Sequence, residues 1–313
     1  REDHQMKKDE FFEGFYLIKT AEVRQTRAGK DYLALTFQDE TGEIEGKLWD
    51  AQPGKIKDFT AGTVVHMQGR REVYNNTPQV NQLVLRLPKA GEPNDPADFK
   101  EKPPVDVKDT KDYLNQMIFL IENATWQRIV RALYSKYEKE FYSYPAAKTN
   151  HHAFYSGLSF HTATMVRLAD KIGDIYPQLN KSLLFAGIML HDLAKVIELT
   201  GPDNTGYTVR GNLIGHISLI DEEITKVLME LGIDDSLEEV TVLRHVILSH
   251  HGLLEYGSPV RPQIMEAEIL HMIDNIDAEM MMMLSALDKV GPGEMTNRIF
   301  AMENRAFYKP NLD

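Results

Sequence analysis

The chain has 313 residues, 42% hydrophobic and 26% charged, with no cysteine and a formal charge of −12. That length suits two or three packed domains, and the absence of thiols excludes disulfides and thiolate zinc sites. The first 90 residues carry 14 basic and 14 acidic side chains, so the whole acidic excess lies beyond them; a protein that coats long duplexes would be basic instead. No uninterrupted apolar stretch approaches the ~20 residues of a bilayer span, and nothing resembles a signal peptide. The expectation is a cytoplasmic protein without a membrane partner.

From Phe11 to about Leu87 the pattern is strand-like. Phe15 to Ile18 opens it, Tyr32 to Phe37 and Ile44 to Trp49 alternate on either side of an Asp39-Glu40-Thr41-Gly42 turn, and Thr63 to Gly69 and Gln79 to Leu87 complete it. Five short strands within roughly 80 residues predict a small closed or nearly closed antiparallel barrel. Side chains alternate faces along a strand, so Leu33, Leu35, Phe37, Ile44 and Leu48 face the core while Tyr32, Thr36, Glu45, Lys47 and Trp49 face outward. Residues 32–49 resemble the central hairpin of OB-fold nucleic-acid-binding domains. That resemblance implies that Tyr32, Thr36, Lys47 and Trp49 meet a single strand whose bases stack on the rings. The alternative is that Tyr32 and Trp49 cap the barrel end or pack on another domain. Tyr74, beside Asn75-Asn76 before the last strand, is a further stacking candidate.

Residues 88 to 109 hold five prolines and little apolar content, as expected of a linker at 89–109 following a barrel at 11–88. The hydrophobic period then changes from two to between three and four. Tyr113, Met117, Leu120 and Ile121 share one helical face, and Ile129, Leu133 and Tyr137 mark a second helix. The chain reads helical to about residue 290, with breaks near Tyr176-Pro177, Gly201-Pro202, Gly232 and Gly257-Ser258-Pro259. An all-α domain is thus expected over 110–290, with a C-terminal tail at 291–313. Met280 to Met283 suit a core or a subunit interface, so a homo-oligomer is an open expectation.

The helical part carries His161, His191-Asp192, His216, His250-His251 and Asp274, with Asp277 one turn further on. Imidazoles with a shared carboxylate are what a pair of divalent transition metals requires, and such a pair activates water against a phosphate ester. His161 opens a helix, and His216 sits early in a helix over 213–228. His250-His251 close one over 240–248. His191-Asp192 ends the apolar run Leu183 to Leu190, where a buried His and Asp need partners or a metal to offset desolvation. His245 lies five residues before His250 on a different face and is a supporting residue. His151-His152 read as a loop pair, and His4, His66 and His271 are given no role. An acidic chain can act on a phosphodiester where bound metals supply positive charge and only a few nucleotides are gripped.

His161, His191-Asp192 and Asp274 match the His, His-Asp, Asp signature of the HD-domain metal-dependent phosphohydrolases, which the chain resembles. The added His216 and His250-His251 are similar to the members that bind two metals. The segments 157–162 and 247–252, preceded by an OB-like hairpin, resemble one branch in particular, the YhaM-type 3′-to-5′ exoribonucleases of Gram-positive bacteria. The resemblance implies an all-β OB-fold barrel followed by an all-α HD bundle. It also implies hydrolysis of single-stranded RNA to nucleoside monophosphates by a metal-activated hydroxide, with single-stranded DNA left open.

By the same resemblance Asp192 bridges two ions, with His161, His191 and Asp274 completing one site and His216, His250 and His251 the other. Five imidazoles favour Mn, Co, Fe or Zn over Mg, which prefers oxygen ligands; the resemblance puts Mn first. On a continuing helix Lys195 shares the His191 face and would assist at the phosphate, a surface pair with Glu198 being the alternative. Arg210 is a further phosphate candidate. Two other functions stay open: an HD-type nucleotide or cyclic-dinucleotide phosphodiesterase, and a non-catalytic single-strand-binding factor.

Overall fold

The computed structural model describes residues 10–74, 77–100, 105–148, 154–203 and 205–312. His4, Asn75, Asn76, His151 and His152 lie outside them. Chain contacts divide the protein into two compact units, one ending at Lys102 and the other beginning at Pro103.

The first unit is a closed barrel of β1 (Phe11–Gln25), β2 (Asp31–Asp39), β3 (Gly42–Leu48), β4 (Val64–Tyr74) and β5 (Thr77–Arg86), ordered β1-β2-β3-β5-β4, with β4 returning to β1. The β2–β3 turn forms because Asp39 Oδ1 accepts from the amides of Thr41 (2.8 Å) and Gly42 (3.2 Å). Leu33, Leu35, Phe37, Ile44 and Leu48 are buried with Ile18, Val65 and Met67, as the alternation requires. The barrel is not wholly antiparallel: β3 and β5 pair in parallel through Glu45 with Gln79 and Gly46 with Val80. A short helix, α1 (Pro53–Asp58), lies between β3 and β4. It carries the chain across, so that β5, returning from the β4 hairpin, runs in the same sense as β3. At the far end of this unit Phe99, in a 3-10 turn over Pro96–Phe99, is buried beside Leu17 and Val64.

The second unit contains, among the described residues, α2 (Val107–Phe119), α3 (Ala124–Phe141), α4 (Gly157–Ile175), α5 (Lys181–His191), α6 (Lys195–Glu198), α7 (Val209–Leu213), α8 (His216–Leu231), α9 (Glu238–Leu248) and α10 (Met265–Asp288). These helices share one core, with α5 packed against α3, α4, α9 and α10. Every residue of α5 from Leu183 to His191 is buried, which explains its lack of an amphipathic pattern. Gly187 permits this packing: a Cβ there would lie 2.6 Å from Val246 Cγ1 on α9. Leu120, expected on the buried face of the first helix, is exposed and Ile118 is buried instead. The buried stripe runs through Leu114, Met117, Ile118 and Ile121, and Leu120, the C-cap after Phe119, falls beside it.

Residues 291–312 fold back beside α10. Bridges join Met295 to Tyr308 and Ile299 to Arg305, Met302 is buried, and Lys309 Nζ donates to the carbonyls of Leu287 (3.2 Å) and Val290 (3.0 Å) at the end of α10. None of Met280 to Met283 is buried, so these methionines are not core. No helix among the described residues is long and apolar enough to cross a membrane. Substituting Gly187→Val should overpack the α5–α9 contact and destabilise the protein by about 1–3 kcal/mol, read as a lower midpoint in urea unfolding; an unchanged midpoint would show that the contact is loose.

Candidate metal centre

Four helices and two turns deliver the expected ligands to one place. His161 comes from the second turn of α4 and not its start, because the helix already begins at Gly157. His191 is the last residue of α5, Asp192 follows it outside the helix, and His216 is the first residue of α8. His250-His251 follow α9, and Asp274 lies on α10. Ligand atoms of His161, His191, Asp192 and Asp274 all lie within 4.8 Å of one another, and so do those of His216, His250 and His251. Asp192 faces both groups. Its Oδ2 is 3.1 Å from His191 Nε2 and 3.5 Å from His161 Nε2, while its Oδ1 is 3.4 Å from His216 Nε2 and 3.7 Å from His250 Nε2.

All five imidazoles are held by Nδ1. His191 donates to Ile188 O (2.5 Å), His250 to Ile247 O (2.5 Å) and His251 to Tyr256 O (2.6 Å). His161 Nδ1 meets Asp277 Oδ2 at 2.5 Å, and His216 Nδ1 meets Glu198 Oε2 at 3.1 Å. Each partner oxygen can only accept, so in the neutral ring the proton sits on Nδ1 and Nε2 presents its lone pair to a ligand. Nε2 of His191, His216 and His250 is buried without a hydrogen-bond partner, a costly arrangement for a polar atom unless something binds it. The donor set and these orphaned nitrogens fit transition-metal ions.

The electrostatics agree. Burial opposes charge on His161, but Asp192, Asp274 and Asp277 outweigh it and hold the imidazole well above its ordinary value. His216 is likewise raised, with Asp192 and Glu198 overcoming burial. His250 is held well below by burial and by the neighbouring His191 and His251, and burial also lowers His251. Burial opposes ionisation of Asp192 and Asp274, yet both stay below the usual carboxylate range. His191 and Lys195 stabilise the charge on Asp192, and His161 that on Asp274.

Several supporting residues escaped the sequence. Glu198 was weighed only as a partner of Lys195, but it holds His216 through both the side chain and the backbone amide (2.7 Å). Gly211 of α7 lets that segment close on Glu198, since a Cβ there would meet the Glu198 carbonyl oxygen at 2.3 Å. His271, given no role, donates from Nδ1 to the His250 carbonyl at 2.8 Å. Asp277 was legible as a supporting residue, one helical turn from Asp274. His245 accepts from the Gln263 amide at 3.0 Å and belongs to neither ligand group.

The route by which Lys195 reaches the centre also differs from the expected one. Helix α5 stops at His191, and Lys195 starts the separate helix α6. From there its Nζ donates to Ala146 O (2.6 Å) and lies 3.5 Å from Asp192 Oδ2. It lines a cleft of about 350 Å³ with His161, Asp192, His216, His251 and Asp274. Arg210 is not among the lining residues; its guanidinium lies 3.5 Å from Glu222 on α8.

On the barrel, Tyr32 and Trp49 pack against each other with ring centroids 4.9 Å apart and planes inclined at 43°, and Lys47 Nζ lies 5.8 Å and 5.5 Å from the two centroids. Trp49 is 54% exposed and Tyr74 is 65% exposed. Thr36 is half-buried and pairs with Glu45 across the β2–β3 ladder.

A helical bundle that brings a histidine, a His-Asp pair and a later aspartate to one buried centre defines an HD domain, and residues 159–279 match that family. Over 299 residues the chain is 46% identical to the 3′-5′ exoribonuclease YhaM of Listeria monocytogenes serovar 1/2a, which covers 96% of this chain and 95% of that protein. The chain therefore belongs to the YhaM family of HD-domain proteins.

Two outcomes are expected of the centre. In the ion-free protein the raised His161 and His216 hold Nε2 protons that an entering ion must displace. Metal affinity should therefore rise as pH rises through neutrality, and the heat of Mn binding should change with buffer ionisation enthalpy; a buffer-independent heat would contradict this. Replacing Asp277→Asn should weaken metal binding about 10- to 100-fold in the same titration, with the circular dichroism unchanged.

Proposed function

We propose that this protein is a 3′-to-5′ exoribonuclease that hydrolyses single-stranded RNA to nucleoside monophosphates, with the helical unit as catalytic domain and the barrel as nucleic-acid-binding domain. The observation that carries the reading is Asp192, whose two carboxylate oxygens face separate sets of histidines. The activity and its polarity follow the Listeria relative, whose match spans both units.

His161, His191, Asp192 and Asp274 would hold one ion, and His216, His250 and His251, faced by the other Asp192 oxygen, would hold a second. Divalent cations held there supply an activated water and neutralise charge on the phosphodiester. Manganese is the first choice, with Co, Fe and Zn accommodated by the same imidazole-rich set. Lys195 donates to Ala146 O, faces Asp192 and turns its remaining donor capacity to a nonbridging phosphate oxygen. Asp277 and Glu198 hold His161 and His216 in register, and the carbonyls of Ile188, Ile247 and Tyr256 do so for the other three.

Tyr32, Trp49 and Lys47 form the face on which the strand's bases stack, with Thr36 and Tyr74 extending it. A nucleotidase or cyclic-dinucleotide phosphodiesterase has no use for such a face, and a pure binding factor has none for the buried centre. A cytoplasmic location goes with an RNA substrate. Self-association is part of the same reading: Met272, Ile276, Met280 and Leu284 are exposed at four-residue spacing along α10.

On a 5′-labelled RNA oligomer with Mn, Asp192→Ala should reduce shortening by at least about a thousandfold; full degradation by the variant would refute the assignment. Trp49→Ala should raise KM for the oligomer about 5- to 100-fold and leave hydrolysis of a small chromogenic phosphodiester unchanged. Equal losses on both substrates would remove the barrel from substrate binding.

A further inference from the structure

The cleft beside the two histidine groups has a volume of about 350 Å³. Small-molecule sites run from about 300 to 1,000 Å³, so this one has room for about one nucleotide and not for a folded strand. Besides the metal-facing groups, Lys195 and Glu198, its lining consists of Ala146, Ala147, Leu199, Tyr207, Asn275 and Ala278. Four of these are small or aliphatic, and two offer specific recognition.

Tyr207 is 48% exposed, and its backbone is anchored. It bridges to Leu199, and the flanking amides are tied down, Thr208 N to Glu198 O (2.9 Å) and Thr200 N to Gly206 O (3.0 Å). The backbone that carries the ring is therefore held by the same segment that carries Glu198, the partner of His216. An uncovered ring on an anchored backbone, at the edge of a nucleotide-sized cleft, is a stacking platform for a base.

Asn275 is oriented by a chain of hydrogen bonds. His271 Nδ1 donates to the His250 carbonyl, which leaves His271 Nε2 as an acceptor. Asn275 Nδ2 lies 3.3 Å from that nitrogen, so the amide group donates to it and Oδ1 remains a free acceptor. A ribose 2′-hydroxyl is a donor that deoxyribose lacks, and it is the group by which a protein tells RNA from DNA at a given position.

We infer that the cleft seats the terminal ribonucleotide, with Tyr207 stacked on its base and Asn275 Oδ1 accepting its 2′-hydroxyl. The inference rests on the exoribonuclease reading and adds to it the choice of sugar. Both are substrate-binding residues. Asn275→Ala raises helix propensity and keeps the metal ligands, so the variant retains the fold.

The test is calorimetric binding of AMP and 2′-deoxy-AMP to the Mn-loaded protein, followed by degradation of matched 5′-labelled RNA and DNA oligomers. The wild type should bind AMP about tenfold more tightly than its deoxy analogue. Asn275→Ala should abolish that difference by weakening AMP alone, and should lower the RNA-to-DNA ratio of kcat/KM to match. Tyr207→Ala should weaken both nucleotides by about tenfold and Tyr207→Phe neither. Equal binding of the two nucleotides by the wild type, or an Asn275→Ala variant that weakens both alike, would overturn the assignment. A wild type that discriminates AMP but leaves RNA intact would count against the exoribonuclease reading and not the subsite. One that shortens RNA yet binds no AMP would remove the subsite alone.

Discussion

Asp192 is a buried carboxylate with imidazole nitrogens around both of its oxygens, and the helical unit is arranged to hold it there. A single buried charge costs several kcal/mol unless it is paired, and here Lys195 and the ring of histidines meet that requirement. The position follows from α5, which is buried along its length and ends at His191, so that Asp192 leaves the helix at the centre of the bundle. Helices α4, α8, α9 and α10 then need only present one or two ligands each from their ends or inner faces.

Precision comes from the other side of each imidazole. Backbone carbonyls hold three rings and carboxylates hold two. Each neutral ring is thereby fixed as the same tautomer, with Nε2 turned to the centre. The distribution of charge supports the same chemistry. The helical part carries the acidic excess of the chain, which bound cations would offset locally, while the barrel is balanced and exposes Lys47 against two rings. On the proposed reading, grip on the strand would fall to the barrel and attack on the phosphodiester to the helical unit, two parts with different electrostatics.

Much of this was legible in the sequence because periodicity and residue type carry it. Alternation in Tyr32 to Phe37 and Ile44 to Leu48 gave the barrel core, and the spacing of His161, His191-Asp192, His216, His250-His251 and Asp274 gave the candidate ligands. What escaped depends on backbone paths. The parallel β3–β5 pair follows from a helix of only six residues, too short to show a period. Lys195 reaches the cleft by another path, and Glu198 becomes the partner of His216, because α5 stops at His191 and residues 192–194 turn the chain into α6. The carbonyl partners of His191, His250 and His251 have no side-chain signature at all. Tyr207 and Asn275 acquire meaning only once Leu199 and His271 are seen beside them.

The central claim is that one carboxylate is shared by two metal positions. An anomalous difference map from crystals of the Mn-loaded protein tests it most directly. Two peaks are expected, one among His161, His191 and Asp274 and one among His216, His250 and His251, each in contact with a different oxygen of Asp192. A single peak, or two peaks with Asp192 bound to only one, would contradict it.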